Sequence, residues 1–196
     1  MDRRLEPGVR VTIDEVARQL QMSITPVREA LARAAAESLL VKSHNRGFTV
    51  SPRLMPDTYH LLFDARRAIE PFAARLARSD VKTVAELQRL AQSMARMRPP
   101  PGSTVYRDFN RADHLFHLAI VRSSGNPFLE RAWMGLHFHL QVGRLYHGRG
   151  VIDFREAAEE HVQIARAAEA GEWRRFVRLV RAHIDRAERQ IASLLP

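Results

Sequence analysis

Apolar positions recur at helical spacing along most of the chain. In "TIDEVARQL" (12–20), Ile13, Val16, Ala17 and Leu20 fall on one helical face; "QMS" breaks the pattern and "ITPVREALARAAAESLL" resumes it. The pattern predicts two short helices joined by a tight turn. Pro26 suits the first turn of the second helix, where its missing N–H has no partner to lose, and Ser23 or Thr25 can cap the open amides. Beyond Leu40 the period changes. "VKSHNRGFTVSP" holds two short β-prone runs around Asn45-Arg46-Gly47 and reads as a hairpin. Helix, turn, helix and hairpin make a winged helix-turn-helix over residues 1–52.

The prolines of "SPRLMPD" interrupt the periodicity, so residues 53–57 are expected as a linker. From residue 58 to 196 the chain reads as helices over 58–79, 83–97, 105–124, 127–147, 153–170 and 173–194, separated by "RPPPG", "SSGNP", "HGRG" and "AGE". These lengths suit an all-α antiparallel helical bundle, and no repeat or low-complexity tract interrupts it. The expected fold class is mainly α: an N-terminal winged helix-turn-helix with a small β-hairpin wing, then the bundle.

Composition narrows the chemistry. The 196 residues include no cysteine, which removes disulfides, thiolate nucleophiles and cysteine metal sites and leaves imidazole and oxygen as ligands. A net charge of +9 suggests a polyanionic partner, but the excess is not concentrated at the N-terminal end. Residues 1–52 carry eight Lys/Arg and six Asp/Glu, leaving 23 of 31 and 16 of 22 for the remainder. No stretch reaches the roughly 18–20 apolar residues of a membrane span, and "MDRRLEPGVR" has no signal-peptide core. A cytoplasmic protein without a membrane partner is expected.

Among the nine histidines, His117 stands four residues after Asp113 in "DHLFH", so the two side chains share a helical face. Alone, the pair reads either as a carboxylate orienting its neighbour or as half of a metal site. His161 and His183 lie 22 positions apart on helices that turn back at Gly171, each among core-type neighbours, so both imidazoles can reach one level. The remaining histidines fit less well. His114 points about a hundred degrees away from Asp113; His137 and His139 are two apart on a helix; His44, His60 and His147 fall where exposure is expected. Trp133, Trp173 and Phe116 read as core.

The segment "LEPGVRVTIDEVARQLQMSITPVREALARAAAESLL…NRGFTV" resembles the N-terminal domain of GntR-type transcription regulators, in which "L-x-PG", "S-x-TPVREAL" and "RG-x-x-V" recur in this order. The stretches "ARRAIEPFAARLA", "RADHLFHLAIVRSSGNPFLE" and "EEHVQIARAAEAGEWRRFVRLVRAHI" are similar to the all-helical, effector-sensing FCD domain of the FadR-like subgroup. Together the resemblances cover nearly the whole chain. They imply DNA contacts from Ser23, Thr25 and Arg28 at the start of the recognition helix, and from Arg46 and Gly47 in the wing. Asp113, His117, His161 and His183 stand at the positions where many FCD domains hold a divalent metal, and this donor set admits Zn, Ni, Mn or Fe. Arg66, at the family's arginine, and Arg144 are the candidate effector-binding residues that would clamp the carboxylate of a small metabolite. A homodimer on a pseudo-palindromic operator is also implied.

Four departures from the family pattern stand out. Only Met1 to Arg4 precede Leu5, where the family has one more helix, so the expectation is a misassigned start or a DNA-binding domain that is mobile or leans on a partner. Ile24 replaces the usual arginine, Asp14 a residue that is often basic, and Ser38 a glycine at the turn into the wing. The main reading is a regulator that binds operator DNA in response to a small organic acid, and not an enzyme. A metal-dependent hydrolase or lyase, and a helical interaction module without DNA binding, are the alternatives; the winged helix ahead of the site speaks against catalysis.

Overall fold

The computed structural model describes residues 6–36, 39–43, 47–52, 56–77, 80–98, 104–146 and 154–192, with backbone alone for 56, 57, 104–107 and 137–146. The chain divides into two compact units, Met1–Leu54 and Met55–Pro196.

The first unit contains β1 (Arg10–Val11), α1 (Ile13–Leu20), α2 (Ile24–Ala36), β2 (Leu40–Ser43) and β3 (Gly47–Val50). Thr12 caps α1, its hydroxyl accepting from the Glu15 amide at 3.4 Å, and Asp14 and Glu15 place negative charge at the positive end of the helix dipole. The helix stops at Gln21, which adopts a left-handed conformation at φ 52°, while Met22 donates to the Ala17 carbonyl. A non-glycine residue there costs on the order of 1 kcal/mol, which the turn between the two helices must offset. Leu20, expected on the buried face, lies exposed at the end of α1.

The hairpin forms in the expected place, with β2 antiparallel to β3 and Leu40 opposite Val50. A third strand joins it: β1 pairs with the other edge of β3, giving the order β1-β3-β2. Val11, Leu40 and Phe48 form the core, with Ile13, Val16, Leu31, Ala34 and Ala35 packed against it from the helices. Gly47 begins β3 at φ 84°, where a Cβ would lie 3.0 Å from the Val11 carbonyl oxygen. Glycine is therefore needed for the sheet itself.

The second unit consists of α3 (Pro56–Leu76), α4 (Val81–Arg96), α5 (Thr104–Arg122), α6 (Pro127–Tyr146), α7 (Phe154–Glu169) and α8 (Trp173–Ala192). Helix α3 begins at Pro56, inside the stretch expected as linker, because proline at the first helical position sacrifices no hydrogen bond. α3 packs on α8, α5 and α6; α4 lies against α5 and α7; α7 lies against α8. The α7–α8 turn follows from Gly171. Its φ of 68° lets Gly171 and Glu172 donate to the Ala168 and Ala167 carbonyls, closing the helix in a Schellman motif. Among the described residues no helix is long and apolar enough to cross a membrane.

Candidate metal centre and DNA-facing helix

Helices α5, α7 and α8 place one carboxylate and three imidazoles at core positions. On α5, Phe109, Ala112, Asp113, Phe116, His117 and Ile120 form one buried stripe, so Asp113 and His117 occupy positions that helical spacing reserves for apolar residues. On α7 the stripe is Ala157, His161, Ile164, Ala165 and Ala168; its small residues leave room for an imidazole. On α8 it is Phe176, Val180, His183, Ile184 and Ala187. Asp113, His117, His161 and His183 each have 3% exposure or less. One ligand atom from each lies within 4.8 Å of all the others.

The outer faces of two of these histidines determine what the inner faces can do. His117 Nδ1 is 2.7 Å from Glu70 Oε2, and His183 Nδ1 is 2.6 Å from Glu160 Oε2. Burial alone would raise the Glu70 pKa, but the Arg66 charge and then His117 outweigh it and hold the carboxyl well below the usual range. Glu160 is likewise lowered: burial opposes ionisation, and hydrogen bonds from His183 and Arg186 overcome it. For His183, burial pushes the pKa down and the bond to Glu160 offsets this only in part, which favours neutral imidazole. An ionised carboxylate can only accept, so each Nδ1 carries the hydrogen, and a ring that holds no second hydrogen turns a lone pair at Nε2 inward.

Those lone pairs converge. His117 Nε2 lies 3.2 Å from His183 Nε2 and 3.4 Å from His161 Nε2. Asp113 Oδ1 is 3.7 Å from His117 Nε2 and 3.5 Å from His161 Nε2. Acceptors at such separations repel unless a cation or a shared proton sits among them. Ligands about 2.0–2.1 Å from a tetrahedral zinc are about 3.3–3.4 Å apart, close to these separations. The donor set and its spacing fit a divalent metal.

Beside the cluster, Arg66 is 1% exposed and donates through Nε to Glu70 Oε1 at 2.6 Å. Trp133 Nε1 donates to the same oxygen at 2.9 Å. The Arg66 guanidinium lies 5.5 Å from the Phe63 ring centre, and its buried Nη1 and Nη2 have no hydrogen-bond partner among the described residues. Arg144 is on α6, with its side chain outside the described residues. His114 stacks on Trp133 with ring centres 5.4 Å apart, away from the cluster, and His60 is exposed. Trp133 and Phe116 are fully buried, while Trp173 is half-buried. The side chains of His137 and His139, and all of His44 and His147, lie outside the described residues.

In the first unit, Ser23 immediately precedes α2, and Thr25 and Arg28 occupy its first turns; all three are exposed. Arg28 makes no hydrogen bond or ion pair among the described residues. Ile24 is 46% exposed at the same end. Gly47 is half-buried in the sheet, and Arg46 and Ser38 lie outside the described residues.

Comparison with known proteins connects both units to one family. Residues 61–186 match the FCD domain, and residues 1–50 match the bacterial regulatory proteins of the gntR family. The chain belongs to the GntR family. As a GntR regulator with an FCD domain it is 34% identical over 169 residues to a protein of Paenarthrobacter nicotinovorans named "Probable D-xylose utilization operon transcriptional repressor", covering 86% of this chain and 73% of that one. It is 31% identical over 176 residues to the regulator McbR of Escherichia coli K12, covering 85% and 75%. The solved structure of E. coli McbR superimposes with a TM-score of 0.75 at 26% identity, covering 93% of this chain and 86% of that one. A GntR regulator from Rhodococcus sp. RHA1 shares the fold, with a TM-score of 0.72 at 20% identity and coverage of 98% and 91%.

The four clustered side chains of this GntR regulator are those singled out from the sequence, but their supports are not. Glu70, Glu160 and the donor role of Trp133 were not among the residues singled out from the sequence. A signal was available for Glu70: Phe63, Arg66, Glu70 and Ala73 make one helical stripe in which two charged residues interrupt a buried face.

Proposed function

We propose that this GntR-family DNA-binding regulator senses a small organic acid held jointly by a divalent metal and by Arg66. The observation carrying this reading is the convergence of three imidazole nitrogens and one carboxylate beside a buried guanidinium whose two outer nitrogens are unmatched. Asp113, His117, His161 and His183 would hold Zn, Ni, Mn or Fe, and the metal would supply a Lewis-acidic position for a carboxylate oxygen. The Nη pair of Arg66 offers the complementary fork, and Arg144 is the second candidate clamp. Without an anion, the two buried NH2 groups of Arg66 stay unsatisfied; binding one relieves that cost.

On the DNA side, Ser23, Thr25 and Arg28 are exposed at the start of α2 and would meet the operator with Arg46 and Gly47, and the operator is read as a pseudo-palindrome by a homodimer. Regulation requires the acid to bind one arrangement of the dimer more tightly than the other. The winged helix-turn-helix that precedes the cluster in the same chain favours sensing over hydrolysis or elimination.

Metal analysis after metal-replete purification and dialysis tests the first half, with about one ion per chain expected and His161→Ala expected to hold none. A wild type without stoichiometric metal defeats it. Operator binding followed by fluorescence anisotropy, with and without a panel of small mono- and dicarboxylates, tests the second. If no acid shifts the operator affinity of the metal-loaded protein, the sensing role fails.

A further inference from the structure

Glu70 and Glu160 stand outside the proposed ligand set, yet the inward-facing nitrogens depend on them. We propose that these two carboxylates are positioning residues that fix the tautomers of His117 and His183, each holding hydrogen on Nδ1 so that Nε2 is presented to the centre. As a statement about metal the inference rests on the metal reading above; as a statement about tautomers it does not.

The argument is one of donor and acceptor counting. Glu70 receives Arg66 Nε and Trp133 Nε1 on Oε1 and His117 Nδ1 on Oε2. Arginine and indole nitrogens can only donate, so Oε1 is committed. Glu160 receives Arg186 Nε on Oε1 at 2.5 Å and His183 Nδ1 on Oε2. In both, one oxygen is claimed by an obligate donor and the other is left for an imidazole. A glutamine in either place has a single oxygen, and the obligate donor claims it. Its amide NH2 then faces Nδ1, which must become an acceptor, and the ring hydrogen moves to Nε2 and points into the centre. Removing one negative charge thus blocks a ligand as well as weakening its basicity.

The two positions differ in leverage. Glu70 is fully buried and has two committed donors, so its amide cannot turn round. Glu160 is 25% exposed and has one, Arg186. Deleting that donor should let the glutamine rotate, offer its oxygen to His183 and restore the original tautomer. This rescue separates tautomer control from simple support of the fold.

The test uses the full chain, stripped of metal and labelled with 15N-histidine, at about pH 8, well above the ordinary histidine pKa of about 6.5. Long-range 1H–15N correlations identify the protonated ring nitrogen. Wild type is expected to show Nδ1–H at both His117 and His183, Glu70→Gln to convert His117 to Nε2–H, and Glu160→Gln to convert His183. The double variant Glu160→Gln/Arg186→Met is expected to return His183 to Nδ1–H. Metal affinity, by competition with a chromophoric chelator and zinc as the probe, should fall about 10–100-fold in each single variant and recover in the double. Should Glu70→Gln fail to fold, the Glu160 series still decides. Nε2–H in the wild type, or tautomers unchanged by both glutamines, overturns the proposal. A wild type that takes no zinc while the tautomers follow this pattern overturns the metal reading instead.

Discussion

Ser23, Thr25 and Arg28 in the first unit are exposed, and Arg28 makes no bond among the described residues; Asp113, His117, His161 and His183 in the second are buried and surrounded by further ionised groups. Side chains proposed to contact DNA lie exposed, and their removal is expected to have little effect on the fold. Those proposed to hold the metal and its ligand are also parts of the core, so each change to that cluster is expected to change stability. The contrast extends to how each set is held. The exposed residues take their positions from backbone geometry, through Thr12, Gln21 and Gly47, whereas the buried ones are held side chain to side chain.

The sharpest test of that difference is Arg66→Ala. It leaves Glu70 ionised and buried without its cation, a loss of roughly 3–5 kcal/mol, visible as a shift in the urea midpoint of the helical unit. If that midpoint barely moves, buried chemistry and stability are separable after all. Trp133→Phe removes a donor to the same carboxylate while keeping most of the ring volume, and about 1.5–3 kcal/mol is expected by the same measurement. Arg28→Ala examines the other side: operator binding should weaken by about 1–3 kcal/mol, while unfolding stays within about 0.5 kcal/mol of wild type. A comparable loss of stability there would erase the distinction.

The smallest effect concerns a helix cap in the second unit. Asp80 precedes α4 and accepts from the Thr83 amide and hydroxyl at 2.7 Å; the hydroxyl bond, then the amide bond, lowers its pKa below the ordinary value of 3.8. A depressed folded pKa gives stability that is present above the unfolded value and lost as pH falls through the folded one. Asp80→Ala should therefore lower the thermal midpoint slightly near neutrality and lose that difference in acid. A difference that persists in strong acid would mean the carboxylate charge is not what caps the helix.

Periodicity revealed what repeats, and missed what does not. The helices were readable because their apolar stripes recur over many turns; β1, with two residues, is too short to show alternation, and its pairing depends on β3 nearly forty positions later. The buried polar cluster was legible because Asp113 and His117 share one turn and His161 and His183 one helical hairpin. Glu70 was not, since its bond to His117 spans 47 positions and no local rule pairs them. Leu20 shows the converse failure: it keeps the helical spacing, but α1 ends there at the left-handed Gln21.

The turn at Gly171 has a consequence for how the centre assembles. It makes His161 and His183 near neighbours before any other helix docks, as one turn of α5 does for Asp113 and His117. Two ready halves remain, and the gap between them is the 44 positions from His117 to His161. Closing a loop of that length costs about 3 kcal/mol of chain entropy beyond a constant, a single toll where four scattered ligands would incur three. An ion gripping both halves would then serve as a removable cross-link on that loop, slowing the escape of the folded chain for as long as it stays bound.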